Sequence, residues 1–297
     1  MKIDIKAAPS ARRVYRGEIM IIRKLASGLC GILLLAAYFG PLTLAAAEGE
    51  EGYTPTVLIT GSNRGLGFEF VKQYTALGWK VIATARKPEK AEDLQTFAAE
   101  NSNVIIEQLD ITDLARVDEL AEQYKGQPID VLLNNGAISG SPDPKQLFGK
   151  VNYDRFDQFM DVNLRGPLKV SEAFLPNLKA GKKKRLVAVS SKGGSFANID
   201  AMPSQGTMLY RTSKAALNMM MVNVADSVKG DDIVVVLLNP GLVDTQGMLT
   251  KMNEKMNLGL DLTLKEDSIA GMINVIETTT MEDSGKIFQY TGKVIGY

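Results

Sequence analysis

Thr60-Gly61-Ser62-Asn63-Arg64-Gly65-Leu66-Gly67 joins a short apolar run, Thr56–Thr60, to a helical stretch, Leu66–Leu77. Glycines at 61, 65 and 67 permit a tight turn and let backbone amides approach a pyrophosphate. The N-terminus of the following helix adds favourable charge for an anion. Such spacing recurs by chance, so position decides its meaning. Here it follows the first buried strand and opens a helix, the context a dinucleotide site requires. Gly61, Ser62, Asn63, Arg64, Gly65, Leu66 and Gly67 are the first candidate cofactor contacts.

Beyond this loop the same alternation continues. Strands are expected at Thr56–Thr60, Lys80–Ala85, Val104–Gln108, Val131–Asn134, Arg185–Ser190, Val234–Asn239 and Ile287–Tyr290. They are short, rich in Val, Ile and Leu, and not alternating, as strands buried on both faces of a parallel sheet read. Helices are expected at Leu66–Leu77, Asp113–Tyr124, Tyr153–Leu178, Leu209–Val228 and Glu266–Glu277. Repeated strand–helix units imply an α/β fold, a single doubly wound domain with a mostly parallel sheet over residues 53–297.

The ends of the next strands carry further candidates. Thr84-Ala85-Arg86-Lys87 closes the second strand with two cations, where an NAD site usually places a carboxylate for the ribose 2′-hydroxyl. With Arg64 in the glycine loop, Arg86 suits a 2′-phosphate and favours NADP(H), although a solvated strand end reads the same way. Asp110 and Ile111 follow the third strand. Asp110 could accept a hydrogen bond from an adenine amino group or cap the next helix, a role for which Thr112 and Asp113 compete. Asn134-Asn135-Gly136-Ala137 follows the fourth strand, and Asn135, Gly136 and Ala137 suit either close passage beside a ribose or a plain structural turn.

Composition excludes several chemistries. The 297 residues contain no histidine and carry zero formal net charge. Ser-His-Asp and Cys-His schemes and His-ligated metals are ruled out, and no metal site is expected. Nothing suggests a nucleic-acid footprint. The one dense basic run, Lys182-Lys183-Lys184-Arg185, reads as a solvated turn between a helix and a strand. The single cysteine, Cys30, leaves the body without a disulfide, a zinc ribbon or a thiol nucleophile.

Residues 1–52 read as a separate segment. Arg23 and Lys24 precede an apolar run from Leu29 to Phe39, then Gly40-Pro41 and Leu44-Ala45-Ala46-Ala47-Glu48. This is the layout of a secretory signal peptide with cleavage after Ala47 and Met20 as an alternative start. An uncleaved membrane anchor is the other reading. The signal points to an exported or membrane-associated protein, whereas an NADP(H) site points to cytoplasmic access.

Tyr210 is followed four residues later by Lys214, so the two share one helix face. Of the nine tyrosines only Tyr210 has this neighbour. An ammonium one turn from a phenol favours the phenolate and is expected to lower the Tyr210 pKa, readying it for proton transfer at neutral pH.

Together these segments resemble the short-chain dehydrogenase/reductase family, over essentially all of residues 55–297, with Tyr-Arg-Thr-Ser-Lys-Ala-Ala-Leu-Asn most similar to small carbonyl-reductase-like members. Asn134-Asn135-Gly136-Ala137 is a small inversion of the family's turn. The resemblance implies a Rossmann-type fold and a set of roles. Tyr210 would exchange a proton with a carbonyl or alcohol. Lys214 would lower the Tyr210 pKa and hold the nicotinamide ribose. Ser191, or alternatively Ser190, would bond the substrate oxygen, and Asn163 would kink its helix and position a water. Pro240, Gly241, Val243 and Thr245 resemble the turn facing the nicotinamide. The stretch Ser195–Met208 is longer than in many members and is expected to form a loop over the substrate cleft. Gln246–Leu262, rich in Met, could line an apolar pocket or simply pack on the body.

The implied activity is reversible, NADP(H)-dependent hydride transfer between nicotinamide and a small carbonyl or alcohol. A catalytically weak redox-sensing or signalling module on the same fold is the alternative. A nucleotide-sugar epimerase is disfavoured by the short C-terminal part. A homo-oligomer and N-terminal membrane association are both compatible with this reading.

Overall fold

The central apolar runs become strands because each buries nearly all of its side chains, whereas the edge run Val104–Gln108 is only half-buried. Val57, Leu58 and Ile59 have no exposed surface, nor do Val131, Leu132 and Leu133, and Val234–Leu238 have almost none. A computed structural model describes residues 52–139, 142–201, 206–245, 247–257 and 259–297. The expected N-terminal signal or anchor lies outside them. Among the described residues no helix is long and apolar enough to cross a membrane.

Along the chain run β1 (Thr56–Ile59), α1 (Gly65–Ala76), β2 (Lys80–Ala85), α2 (Glu92–Glu100), β3 (Val104–Gln108), α3 (Leu114–Gln123) and β4 (Val131–Asn134). There follow α4 (Tyr153–Met160), α5 (Gly166–Ala173), α6 (Leu175–Ala180), β5 (Arg185–Val189), α7 (Met208–Ser227) and β6 (Val234–Asn239). The chain closes with α8 (Met248–Met256), α9 (Lys265–Thr278), β7 (Ile287–Gln289) and β8 (Val294–Ile295). The sheet order is β3-β2-β1-β4-β5-β6-β7-β8. All pairs are parallel except the last, in which β8 returns antiparallel to β7.

Two cores sandwich this sheet. On one face Phe70, Val71 and Tyr74 of α1, Leu94 of α2, and Ile269, Met272 and Ile276 of α9 pack against the strands. On the other, Val117 and Leu120 of α3, Val170 of α5, Leu178 of α6, and Leu217 and Met221 of α7 do the same. The strand order reverses between β1 and β4, so a crevice opens at their carboxyl ends, the binding position in open α/β sheets.

Three sequence expectations change. The helix expected over Tyr153–Leu178 is broken by a π-helical turn at Asp161–Arg165 and again near Phe174, so it forms α4, α5 and α6. Helix α2 and strand β8 were not expected. The basic run does form a turn between a helix and a strand, but only Lys182 is exposed and the others are half-buried and engaged. Arg185 donates to the carbonyls of Ile276, Lys183 and Thr279 at 3.1, 2.7 and 3.0 Å, and Lys183 pairs with Glu277. The backbone N–H groups of Lys182 and Lys183 donate to the fully buried Asp130. Asp130 also accepts from Tyr53, whose hydroxyl is pushed up to about 12 by burial and by that carboxylate. This knot ties β1, β4 and β5 together at the end of the sheet away from the crevice.

Candidate active site

The glycine loop is held by side chains from Thr60, just after β1, and from the turn after β4. The Thr60 hydroxyl oxygen accepts from the backbone N–H of Asn135 and of Gly136, both at 3.0 Å. The Asn135 amide donates to the carbonyls of Thr60 and Gly61 at 2.9 and 3.1 Å. Asn135 thus shapes the loop with both amide protons. The glycines follow from these approaches. A Cβ on Gly67 would lie 2.1 Å from the Gly61 oxygen, and one on Gly61, at φ +69°, would lie 2.8 Å from the Gly136 Cα. Ser62 turns inward, with its hydroxyl on the Ile59 carbonyl at 2.9 Å, while Asn63 and Arg64 are exposed.

Helix α1 begins without a side-chain cap and without an acidic residue in its first turn. Its leading N–H groups and positive end therefore suit an anion such as a pyrophosphate. At the end of β2, Arg86 and Lys87 are exposed, and among the described residues neither they nor Arg64 has an ion-pair partner. Asp110 accepts from Thr112, backbone and hydroxyl, at 3.0 and 2.7 Å, while Asp113 caps α3 through the Arg116 N–H. Asp110 is therefore not the helix cap. Ile111 is buried where Gly166 at the start of α5 comes close: a Cβ on Gly166 would lie 2.9 Å from its Cγ1.

Across the crevice, the turn after β6 faces the glycine loop. A Cβ on Gly65, at φ +59°, would lie 3.3 Å from the Thr245 Cβ. Val243 bridges to Thr263, Gly241 adopts φ +83° with Thr263 close by, and the Pro240 carbonyl accepts from Ser268 at 2.7 Å. Pro240, Gly241 and Val243 are thus braced by Thr263 and by Ser268 of α9, while Thr245 stands against the glycine loop.

The four candidate reacting residues meet where β5 ends and α7 begins. Ser191 stands beside the Tyr210 hydroxyl, close enough to favour its ionised form. Ser190 instead donates from its own buried hydroxyl to Asn218 on α7. The sequence left these two serines open, and the fold brings Ser191 to the tyrosine. Lys214 is buried and donates to the Val189 carbonyl at 2.8 Å. Asn163 sits inside the π-helical turn, a feature frequent at functional sites. Its Oδ1 accepts from Ile138 N–H at 2.8 Å and its amide donates to the Ser213 hydroxyl at 3.0 Å, which links this turn to α7.

The expected lowering of the Tyr210 pKa does not occur. Burial raises it, and the neighbouring Ser191 only partly offsets this. Burial also pushes the Lys214 ammonium down to about 8. The physical reason is desolvation, which disfavours a charge on either group.

Asn218 and Arg211 stand in the quoted Tyr–Asn stretch, but their contacts were not legible there. The Asn218 amide donates to the Gly194 carbonyl at 3.2 Å, and Arg211 to those of Gly193 and Ile199 at 3.3 and 2.7 Å. A cleft of about 690 Å³ adjoins this region, with Leu147, Phe148, Phe196, Ile199 and Met208 among its lining residues. Tyr210, Ser191 and Lys214 do not line it, so it neighbours the reacting groups rather than containing them. The Ser195–Met208 stretch contributes Ser195, Phe196, Ile199 and Met208 to it, while Met202–Gln205 lie outside the described residues. In the Met-rich segment α8 forms, but Gln246, Leu258 and the side chains of Met248, Met252 and Met256 lie outside the described residues.

Comparisons with known proteins agree with this geometry. The family model for short chain dehydrogenase matches residues 55–257. An uncharacterized oxidoreductase of Schizosaccharomyces pombe is 33% identical over 253 residues, covering 80% of this chain and 96% of its own. NADPH-bound carbonyl reductase from chicken fatty liver superposes with a TM-score of 0.72 at 29% identity, over 82% of this chain and 99% of that one. A short-chain dehydrogenase/reductase of Burkholderia multivorans with bound NADP gives a TM-score of 0.67 at 30% identity, over 82% and 100% of the two chains. The matched span and the shared fold place this chain in the short-chain dehydrogenase family.

Proposed function

We propose that this protein is an NADP(H)-dependent oxidoreductase acting on small carbonyl or alcohol substrates, with Tyr210 as the general acid and base. The observation that carries the reading is Lys214, buried one helical turn from Tyr210 with its ammonium nitrogen 5.9 Å from the centre of the Tyr210 ring, and Ser191 beside the hydroxyl. Two of the solved relatives hold NADPH or NADP. The residues here fit the same group: an uncapped α1 N-terminus, a glycine cradle that a Cβ would fill, and Arg64 and Arg86 free to meet a 2′-phosphate. Bound NADP(H) would supply or accept the hydride.

The chain's own residues do the rest. Ser191 holds the substrate oxygen and Tyr210 passes it a proton. Because its pKa is raised, Tyr210 is protonated at neutral pH and is poised to donate, which suits carbonyl reduction. Lys214 steadies the charge that develops on Tyr210 as the proton leaves. Asn163 fixes the approach of α7.

Replacing Tyr210 by Phe keeps the ring and removes the hydroxyl. NADPH oxidation with a panel of aldehydes, ketones and quinones should fall by about 10²–10⁴-fold while NADPH binding, read by fluorescence titration, stays nearly intact. Full turnover in Tyr210→Phe would refute the mechanism. Residues 1–52 are proposed to serve targeting or anchoring rather than catalysis. A chain starting at Glu48 should fold and bind NADPH, and N-terminal sequencing of the mature protein reports whether cleavage follows Ala47.

A further inference from the structure

Tyr210 is the third residue of α7, so its backbone N–H falls among those that a helix leaves without an internal partner. Thr207, at the N-cap, provides no side-chain cap bond. The partner comes from 64 residues earlier: the Oε1 of Gln146 accepts from the Tyr210 N–H at 3.1 Å. Since the N–H is a donor, the Gln146 amide orientation is fixed, and its Nε2 faces elsewhere. Among the described residues that Nε2 has no partner, although Gln146 is only 1% exposed.

Gln146 itself is rigidly placed. It ends a short 3₁₀ turn, Pro144–Gln146, whose first N–H groups are met by Asp143. The Asp143 backbone donates to Gly206 at 2.8 Å, just ahead of α7, and its carboxylate lies 3.5 Å from Arg155. Asn152, the cap of α4, donates to Lys145 at 3.1 Å. Around it the cleft wall includes the apolar side chains of Leu147, Phe148 and Met208. Burying an amide with an idle donor among such residues is costly, and a Leu or Met would avoid the cost. What glutamine supplies in exchange is the acceptor for Tyr210.

We propose that Gln146 is a positioning residue: it caps α7 at Tyr210 and so sets the placement of the phenol against Ser191. This rests on the reading of Tyr210 as the proton donor. A small misplacement of a reacting group is enough to slow turnover strongly.

The test uses the full chain with Gln146→Met and Gln146→Asn, which remove or withdraw the acceptor, and Gln146→Glu, which retains it. In both loss variants kcat should fall roughly tenfold with NADPH affinity and KM nearly unchanged. Hydrogen exchange over the first turns of α7 should accelerate. Gln146→Glu should keep most of the turnover and the protection. Wild-type kcat in a folded loss variant would overturn the inference, as would Gln146→Glu being as slow as Gln146→Asn. Either loss variant suffices if the other does not fold. Tyr210→Phe, measured alongside, separates the two claims. A dead Tyr210→Phe with fully active loss variants sinks this inference alone, whereas an active Tyr210→Phe sinks the reading beneath it.

Discussion

Lys214 lies one turn along α7 from Tyr210, with its ammonium nitrogen 5.9 Å from the centre of the Tyr210 ring, yet its hydrogen bond goes to the Val189 carbonyl at 2.8 Å. The pair is therefore coupled through space and through β5 rather than by a direct bond. Burial of both groups dominates their protonation.

A stability slope follows. Lys214 is held down to about 8, against 10.5 for an exposed lysine. Between about pH 8 and about pH 10 the unfolded chain carries a proton that the folded chain has released, so its contribution makes the protein more stable as pH rises. Urea denaturation at several pH values across that window should show the rise in the wild type and a flatter profile in Lys214→Met. Equal slopes in the two proteins would contradict it.

Direction of turnover should depend on pH for the same reason. With Tyr210 raised, carbonyl reduction should hold steady near neutrality and decline as the solution becomes alkaline. Alcohol oxidation, which needs the deprotonated tyrosine, should climb over the same range. Parallel profiles in both directions would argue against Tyr210 as the shared acid and base.

The two serines after β5 should separate cleanly. Ser191→Ala should lower turnover by about 10²-fold with little change in melting temperature. Ser190→Ala leaves the buried Asn218 oxygen without its donor and should cost about 1–3 kcal/mol of stability, with turnover falling only a few-fold. Reversed effects would transfer the substrate role to Ser190.

Cofactor choice should rest on Arg86. Arg86→Asp should shift the ratio of kcat/KM from NADPH toward NADH, because the carboxylate accepts a ribose hydroxyl and repels a phosphate. A wild-type preference for NADH would remove the basis of this prediction.

Gly67→Ala places a methyl group 2.1 Å from the Gly61 oxygen. The loop must shift, so NADPH affinity should collapse and stability should drop by about 1–3 kcal/mol. Gly230→Ala is the control, since nothing lies within 4 Å of its Cβ position. Normal NADPH binding by Gly67→Ala would show that the loop tolerates the change.

The seven parallel strands were readable because continuous Val/Ile/Leu runs have few other uses, and each begins where expected. Helix α2 was missed because Leu94 is its only fully buried residue, leaving little apolar signal to read. Strand β8 has two residues, too short for any period. The break in the long helix was half legible: Asn163 marked it, but the π-helical turn depends on contacts with Ile138 and Ser213 from other elements. Tyr210, Lys214 and the glycines were legible because their chemistry lies within a few residues of one another. Gln146 and Asn218 were not, since each acts through a partner that only the fold supplies. The Tyr210 pKa was misjudged for a related reason: sequence shows the neighbouring charge but not the loss of water.

The borders of the sheet carry a consequence of their own. At β3 the Gln108 carbonyl accepts from Arg116 at 3.1 Å, and the Glu107 carboxylate is taken by Tyr124 and Gln123 at 2.8 and 3.0 Å. At the opposite border β8 offers two residues, and just beyond it the Gly296 and Tyr297 carbonyls accept from Ser195 and Ala197. The β8 side therefore presents no long row of unclaimed main-chain groups among the described residues, and a foreign strand finds little template there on which to zip up. Cover for this border and the shape of the cleft wall thus share one fastening. Removing Val294–Tyr297 would bare the margin of β7 and release the Ser195–Ile199 stretch together.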